Sequence, residues 1–128
     1  MESESIRVLL VDDEQELIAA LAERLTLRGI YARTASRSEQ VFACIESEPF
    51  DVVLLDVNIP GLDLAQLMAG IRRREPQLKI ILCSGARTIA KSKAWIEREA
   101  VDYLVKPIRI ETLIEKLREL SPGKRGAS

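Results

Sequence analysis

Five polar side chains stand out by type and place: Asp12 and Asp13 after the apolar run 6–11, Asp56 after 51–55, Ser84 after 79–83, and Lys106 after 102–105. Three carboxylates brought into one crevice repel one another unless a cation neutralises them. A hard oxygen site with two or three carboxylates and room for water suits Mg²⁺. Lys106 adds a mobile positive charge and Ser84 a hydroxyl, the groups needed to hold the equatorial oxygens of a phosphoryl group in transfer. Asp56 is the candidate acceptor, because an aspartate forms an acyl phosphate and a cation beside it orients the attack. The chain contains 0 histidines, which excludes Ser-His-Asp and Cys-His nucleophiles, histidine-ligated zinc and a phosphohistidine carried by this chain.

These residues converge only if their elements run parallel. In a parallel α/β sheet, ligands bind outside the carboxyl ends of the strands. The sequence alternates apolar, β-rich runs with amphipathic stretches, the βαβ pattern of a sheet covered on both faces, and five such units fit. The first strand, about 7–11, leads into a helix with Leu17, Ile18, Leu21 and Leu25 on one face and Gly29 as its C-terminal cap. A short strand, 31–35, precedes Ser36-Arg37-Ser38-Glu39, which reads as a capping box opening a helix with Val41, Phe42 and Ile45 that ends before Pro49. The third strand delivers Asp56, the loop 58–63 carries Pro60-Gly61, and Leu64, Leu67, Met68 and Ile71 mark a helix closed by Pro76. Strand four spans 79–83, a helix runs from about Thr88 to Arg98, and strand five spans 102–105. A last helix places Ile110, Leu113, Ile114, Leu117 and Leu120 at helical spacing.

A length of 128 residues, 47% apolar and 30% charged, fits one domain with a real core. The expected division is a domain over 1–120 and a disordered tail or linker start over 121–128. A net charge of −1 and a pI near 5.6 supply no field for nucleic acid or anionic lipid, so neither is an expected partner. No apolar stretch spans a bilayer, and the acidic start Met1-Glu2-Ser3-Glu4 is unlike a signal peptide, so a cytoplasmic location is expected. Cys44 and Cys83 sit in apolar runs without metal or redox spacing and read as buried free thiols.

The set Val11-Asp12-Asp13-Glu14, Leu55-Asp56-Val57-Asn58-Ile59-Pro60-Gly61, Cys83-Ser84-Gly85 and Asp102-Tyr103-Leu104-Val105-Lys106-Pro107 closely resembles the receiver domain of two-component response regulators, over about 7–120. The resemblance implies a flavodoxin-like, doubly wound (βα)5 fold with a five-stranded parallel sheet in the order 2-1-3-4-5. It implies that a sensor histidine kinase or phosphotransfer protein donates a phosphoryl group to Asp56, and that the chain promotes only its own phosphorylation and dephosphorylation rather than acting as an enzyme. By the same resemblance Asp13, Asp56 and the backbone carbonyl of Asn58 look like Mg²⁺ ligands, with Asp12 acting partly through water. Lys106 resembles the lysine that contacts the phosphoryl group, Ser84 the switch hydroxyl and Tyr103 the switch aromatic, and Lys106-Pro107 is similar to a bond that is cis in the family. The output would be the face of helix four, strand five and helix five, read by a downstream protein or a fused effector domain. On that face Trp95 lies off the Ile89 and Ile96 stripe and is expected to be partly exposed.

Each residue also has a plainer explanation. Adjacent acids after a strand cap the next helix, an aspartate before Pro-Gly is a turn residue, and a strand-end serine or lysine is ordinary. Their coincidence at four strand ends favours a functional cluster. Two rivals are a degenerate receiver acting as a scaffold without phosphorylation, and a haloacid-type phosphoaspartyl hydrolase, whose Asp-x-Asp motif after strand one is absent here. Three positions depart from the family pattern: Leu64 and Glu99 stand where glycine is usual, and Ile108 where an aromatic is common. Small Gly85 and Ala86 beside the site, with Asn58 opposite, are expected to leave water a path to a short-lived acyl phosphate.

Overall fold

A computed structural model describes residues 4–124. Ten elements alternate along the chain: β1 (Arg7–Val11), α1 (Gln15–Leu27), β2 (Tyr31–Ala35), α2 (Ser38–Ser47), β3 (Val52–Asp56), α3 (Leu64–Arg74), β4 (Lys79–Ser84), α4 (Ala86–Glu99), β5 (Asp102–Val105) and α5 (Ile110–Leu120). The strands form one parallel sheet in the order β2-β1-β3-β4-β5. This is the flavodoxin-like arrangement expected from the resemblance, with the order reversing beside β1 and β3.

Strand parity sorts the core into two layers. Successive side chains on a strand point to opposite faces. Leu9, Val11, Val53, Leu55, Ile80 and Leu82 pack with α2, α3 and α4, whereas Val8, Leu10, Val52, Leu54, Ile81 and Cys83 pack with α1 and α5. The central strand β3 is buried at every position, which is why it reads as an unbroken apolar run ending in one acid. Both cysteines are free and buried, as expected.

The helix ends show how local chemistry sets these lengths. Gly29, with φ of 80°, closes α1: its N–H donates to Thr26 O and that of Ile30 to Leu25 O, the paired bonds of a Schellman motif. Asp63 caps α3 by accepting from the Gln66 N–H at 3.1 Å, so Leu64 opens a normally capped helix and packs against the core.

Several sequence expectations need correction. Leu17 is 47% exposed instead of lying on the buried face of α1; Ile18, Leu21 and Leu25 alone fill that stripe. The expected capping box at Ser36 does not form. Arg37 is the cap residue and offers no side-chain cap, and it is Gln40, not Glu39, that reaches back to accept from the Ser36 N–H at 2.7 Å. Strand β4 includes Ser84, and α4 begins two residues before Thr88. α4 runs one residue past Arg98, through Glu99, into extended Ala100 at φ −127° without a left-handed residue, and the Arg72 guanidinium donates to the Glu99 carbonyl. Residues 121–124 follow α5 in turns, with Ser121 buried and the Lys124 ammonium 3.0 Å from Glu4 and 3.3 Å from Asp51. The tail expectation for 125–128 lies outside the described residues.

Candidate functional site

The backbone ladder fixes the site before any side chain does. Pairing continues one step past three strands: Asp12 N donates to Ala35 O at 3.1 Å, Val57 N to Cys83 O at 2.9 Å, and Lys106 N to Ser84 O at 2.8 Å. The loops therefore start from rigid strand ends, which suits a site needing sub-ångström placement. Parity then aims the groups. Asp12, Asp56 and Lys106 continue the α1/α5-facing positions of β1, β3 and β5, whereas Ser84 and Tyr103 continue the α4-facing positions of β4 and β5.

Asp12, Asp13 and Asp56 each present a carboxylate oxygen within 4.8 Å of the others. Asp12 and Asp56 are only 3% and 4% exposed, while Asp13 is open to solvent. That gradient suits a cation held between protein oxygens and water, and oxygen donors alone favour a hard divalent ion.

The two buried carboxylates are held alike. Asp12 Oδ1 accepts from the Glu14 N–H at 3.0 Å and Asp56 Oδ1 from the Asn58 N–H at 3.2 Å, in each case two residues on. Their other oxygens face Lys106, whose Nζ lies 2.7 Å from Asp12 Oδ2 and 3.4 Å from Asp56 Oδ2. The plain capping explanation is thus half right for Asp12: one oxygen closes the turn and the other serves the pocket. Glu14, to which the sequence reading gave no role, also meets Lys106, at 3.2 Å. The acidic run Asp12-Asp13-Glu14 was the available signal, but only the closure of the β5–α5 loop brings Lys106 there. The Lys106-Pro107 bond is cis.

Burial is the largest influence on Asp56 and raises its pKa above the ordinary value; the Asn58 N–H opposes this, the Asp12 charge adds to it, and Lys106 opposes it. For Lys106 burial opposes the charge, but the hydrogen bond to Asp12 and the charges of Asp56 and Asp12 overcome it, so the ammonium holds its proton more tightly than a free lysine. Cys83, paired in register with Asp56, has its thiol pushed up to about 12, chiefly by burial and then by the Asp56 charge, which leaves it an inert neutral neighbour.

Across the pocket, the Asn58 carboxamide donates to Ser84 Oγ and to Thr88 Oγ1, both at 3.0 Å. Thr88 was missed in the sequence because it reads as the start of α4; the helix begins earlier and puts its hydroxyl in the first turn. Tyr103 is half-buried against the α4-side core, and Trp95 is partly buried against the same layer, consistent with the partial exposure expected. The structure thus gathers Asp12, Asp13, Asp56 and Lys106 in one cluster, and Ser84 with Asn58 in an adjoining one.

A doubly wound α/β sheet with a carboxylate–lysine pocket at its topological switch point defines a flavodoxin-like domain, in which ligands bind outside the carboxyl ends of the strands. Comparison with known proteins narrows the class: residues 8–118 match the response regulator receiver domain, and the chain belongs to that family of two-component signalling domains. It is 37% identical over 123 residues to the positive alginate biosynthesis regulatory protein of Pseudomonas aeruginosa, covering 94% of this chain and 49% of that one. Among solved structures, the chemotaxis response regulator CheY4 of Vibrio cholerae superposes with a TM-score of 0.78 at 24% identity, covering 91% and 99% of the two chains, and supports the fold. The response regulator TrrA of Thermotoga maritima, solved in complex with Mg²⁺–BeF, superposes with a TM-score of 0.74 at 30% identity, covering 91% and 99%. The chain spans about half the length or less of curated relatives such as the alginate regulator and FleR, at 49% and 25%. Among the described residues, no helix is long and apolar enough to cross a membrane.

Proposed function

We propose that this receiver domain accepts a phosphoryl group on Asp56 in a Mg²⁺-dependent transfer from a histidine kinase or phosphotransfer protein. The observation that carries the proposal is the convergence of Asp12, Asp13 and Asp56 within 4.8 Å, with the Lys106 ammonium 3.4 Å from Asp56. Asp13, Asp56 and the Asn58 backbone carbonyl would hold Mg²⁺, with Asp12 acting partly through water. Bound there, the ion supplies neutralisation of the charge shared by the carboxylates and the phosphoryl oxygens.

In the transfer, an Asp56 carboxylate oxygen attacks phosphorus as the bond from phosphorus to the donor nitrogen breaks, leaving an acyl phosphate and a neutral donor imidazole after protonation. Lys106 leaves its ion pair with Asp56 to hold a phosphoryl oxygen, and Ser84 donates its hydroxyl to another. Tyr103 follows Ser84 toward the core and changes the α4–β5–α5 face, a population shift between two packings. The resident partners are then the phosphodonor and a downstream protein or fused effector. An apolar groove of about 550 Å³ along α1, lined by Leu17, Ile18, Leu21 and Ile108 and opening at Asp12 and Lys106, supports the approach of the phosphodonor from that side.

Incubation with Mg²⁺ and acetyl phosphate, followed by intact mass, tests the proposal. Stoichiometric labelling that disappears in Asp56→Asn is the expected result. Turnover of the phosphodonor without labelled protein would indicate a phosphoaspartyl hydrolase, and neither labelling nor turnover a scaffold.

A further inference from the structure

The loop after the phosphoacceptor is joined to α4 by one side chain. Asn58 is anchored at its backbone, where its N–H donates to Asp56 at 3.2 Å. Its carboxamide carries two hydrogens and has two acceptors at 3.0 Å, Ser84 Oγ at the end of β4 and Thr88 Oγ1 in the first turn of α4. A single amide therefore bridges Asp56's loop, the strand-end hydroxyl and the helix.

The bridge is asymmetric. If Ser84 turns its hydroxyl to a phosphoryl group, its geometry toward Asn58 changes, whereas Thr88 has no other assigned task in the pocket. Thr88 is partly buried, and Trp95 is seven residues further along the same helix. Seven steps of about 100° return to nearly the same angular position, so the two side chains share one face of α4. Trp95 packs against the same core layer as Tyr103.

We propose that Thr88 is a positioning residue: by accepting from the Asn58 carboxamide it ties the phosphoacceptor loop to α4 and passes a change at Asp56 and Ser84 to the helix face that carries Trp95. The inference rests on the phosphorylation of Asp56 proposed above. It differs from the Ser84–Tyr103 movement in running through the loop after β3 and the first turn of α4, not through β5.

The test uses acetyl phosphate with Mg²⁺, intact mass for labelling and Trp95 fluorescence for the response of α4, in wild type, Thr88→Val and Thr88→Ser. Valine keeps the shape and removes the acceptor; serine keeps the hydroxyl. Thr88→Val is expected to label fully while the two-state equilibrium that its Trp95 change reports shifts roughly fivefold and the change shrinks, the weight of one neutral hydrogen bond, and Thr88→Ser to retain the change. In the metal-free, unmodified protein the NMR signals of the Asn58 side-chain amide should move in Thr88→Val and return in Thr88→Ser, a readout independent of phosphorylation. Thr88→Ala repeats the comparison should valine distort the helix. Full labelling of Thr88→Val with a wild-type Trp95 change overturns the inference alone, as does a wild type that labels without any Trp95 change. A wild type that takes no label overturns the phosphorylation reading and the inference with it.

Discussion

Lys106 pairs with three carboxylates, and Asp13 brings a fourth to the pocket. Negative charge therefore exceeds positive, and the cluster is under tension that a divalent cation relieves. Removing the ammonium with Lys106→Met should destabilise the metal-free protein by roughly 2 kcal/mol, because Asp12 and Asp56 stay buried without their cation. Saturating Mg²⁺ should restore part of that loss, measured by urea unfolding with and without chelator. Asp56 has the opposite sign. Its folded-state pKa is raised, so the folded protein keeps a proton that the unfolded chain has released, and its contribution to stability falls as pH rises from the ordinary 3.8 through the folded value. In chelator, the stability of Asp56→Asn relative to wild type should increase across that interval and then level off. A difference curve flat with pH would show that burial does not strain the carboxylate.

Contacts between elements set how closely the helices approach. Gly70 on α3 faces Phe42 on α2, where an added Cβ would lie 2.6 Å from Cζ of the ring. The Arg74 guanidinium stacks on that ring, 4.0 Å from its centroid, donates to the Gly70 carbonyl at 3.2 Å, and through Nε donates to Glu46 at 2.8 Å. The ring and the guanidinium both crowd the Gly70 Cβ position, so Gly70 is required for close packing and not for an unusual backbone. Gly70→Ala gains about 1 kcal/mol in helix propensity but pushes on a held ring at a cost of roughly 2 kcal/mol. A net loss of about 1 kcal/mol is expected, and beside Phe42→Leu the same change should cost less than half as much, a coupling that a double-mutant cycle in urea would measure. The Arg72 contact to Glu99 has a related effect at the C-terminal end of α4, satisfying a terminal carbonyl.

At the scale of the whole domain, the carboxylate cluster joins strands that are far apart in sequence, so ion binding should report on global folding. A ligand that binds only the folded state stabilises it by about 2.7 kcal/mol at one hundred times its Kd, which for a chain of this size is about ten degrees in Tm. Millimolar Mg²⁺ should raise the thermal midpoint of wild type, and Asp13→Asn, whose exposed side chain contributes little to packing but adds to the repulsion, should unfold at or slightly above the wild-type temperature in chelator yet lose most of the rise. An undiminished rise in Asp13→Asn would place the ion elsewhere. The clasp of Lys124 with Glu4 and Asp51 lies with the amino-terminal ends of the strands, opposite the pocket, so the chain leaves α5 on the face away from the chemistry.

The alternating apolar runs were enough to define five βα units, and the acids at the strand ends enough to mark the pocket, because parity and strand length are local properties that each segment carries alone. Asp12, Asp56, Ser84 and Lys106 were legible for that reason. What neighbours each of them was not legible. That Lys106 meets Glu14 as well as Asp12, that Asn58 spends its amide on Ser84 and Thr88, and that Leu17 turns to solvent beside a groove while Ile18 is buried all depend on how helices settle on a twisted sheet. Ser36 shows the same division within one turn, since Glu39 and Gln40 are both competent to reach back and only the path of the chain out of β2 selects Gln40. Sequence alone determined the order of the elements and the chemistry placed at their ends; the tertiary structure decided which of those groups touch, because contacts between distant segments are set by packing distance and angle, which no local pattern contains.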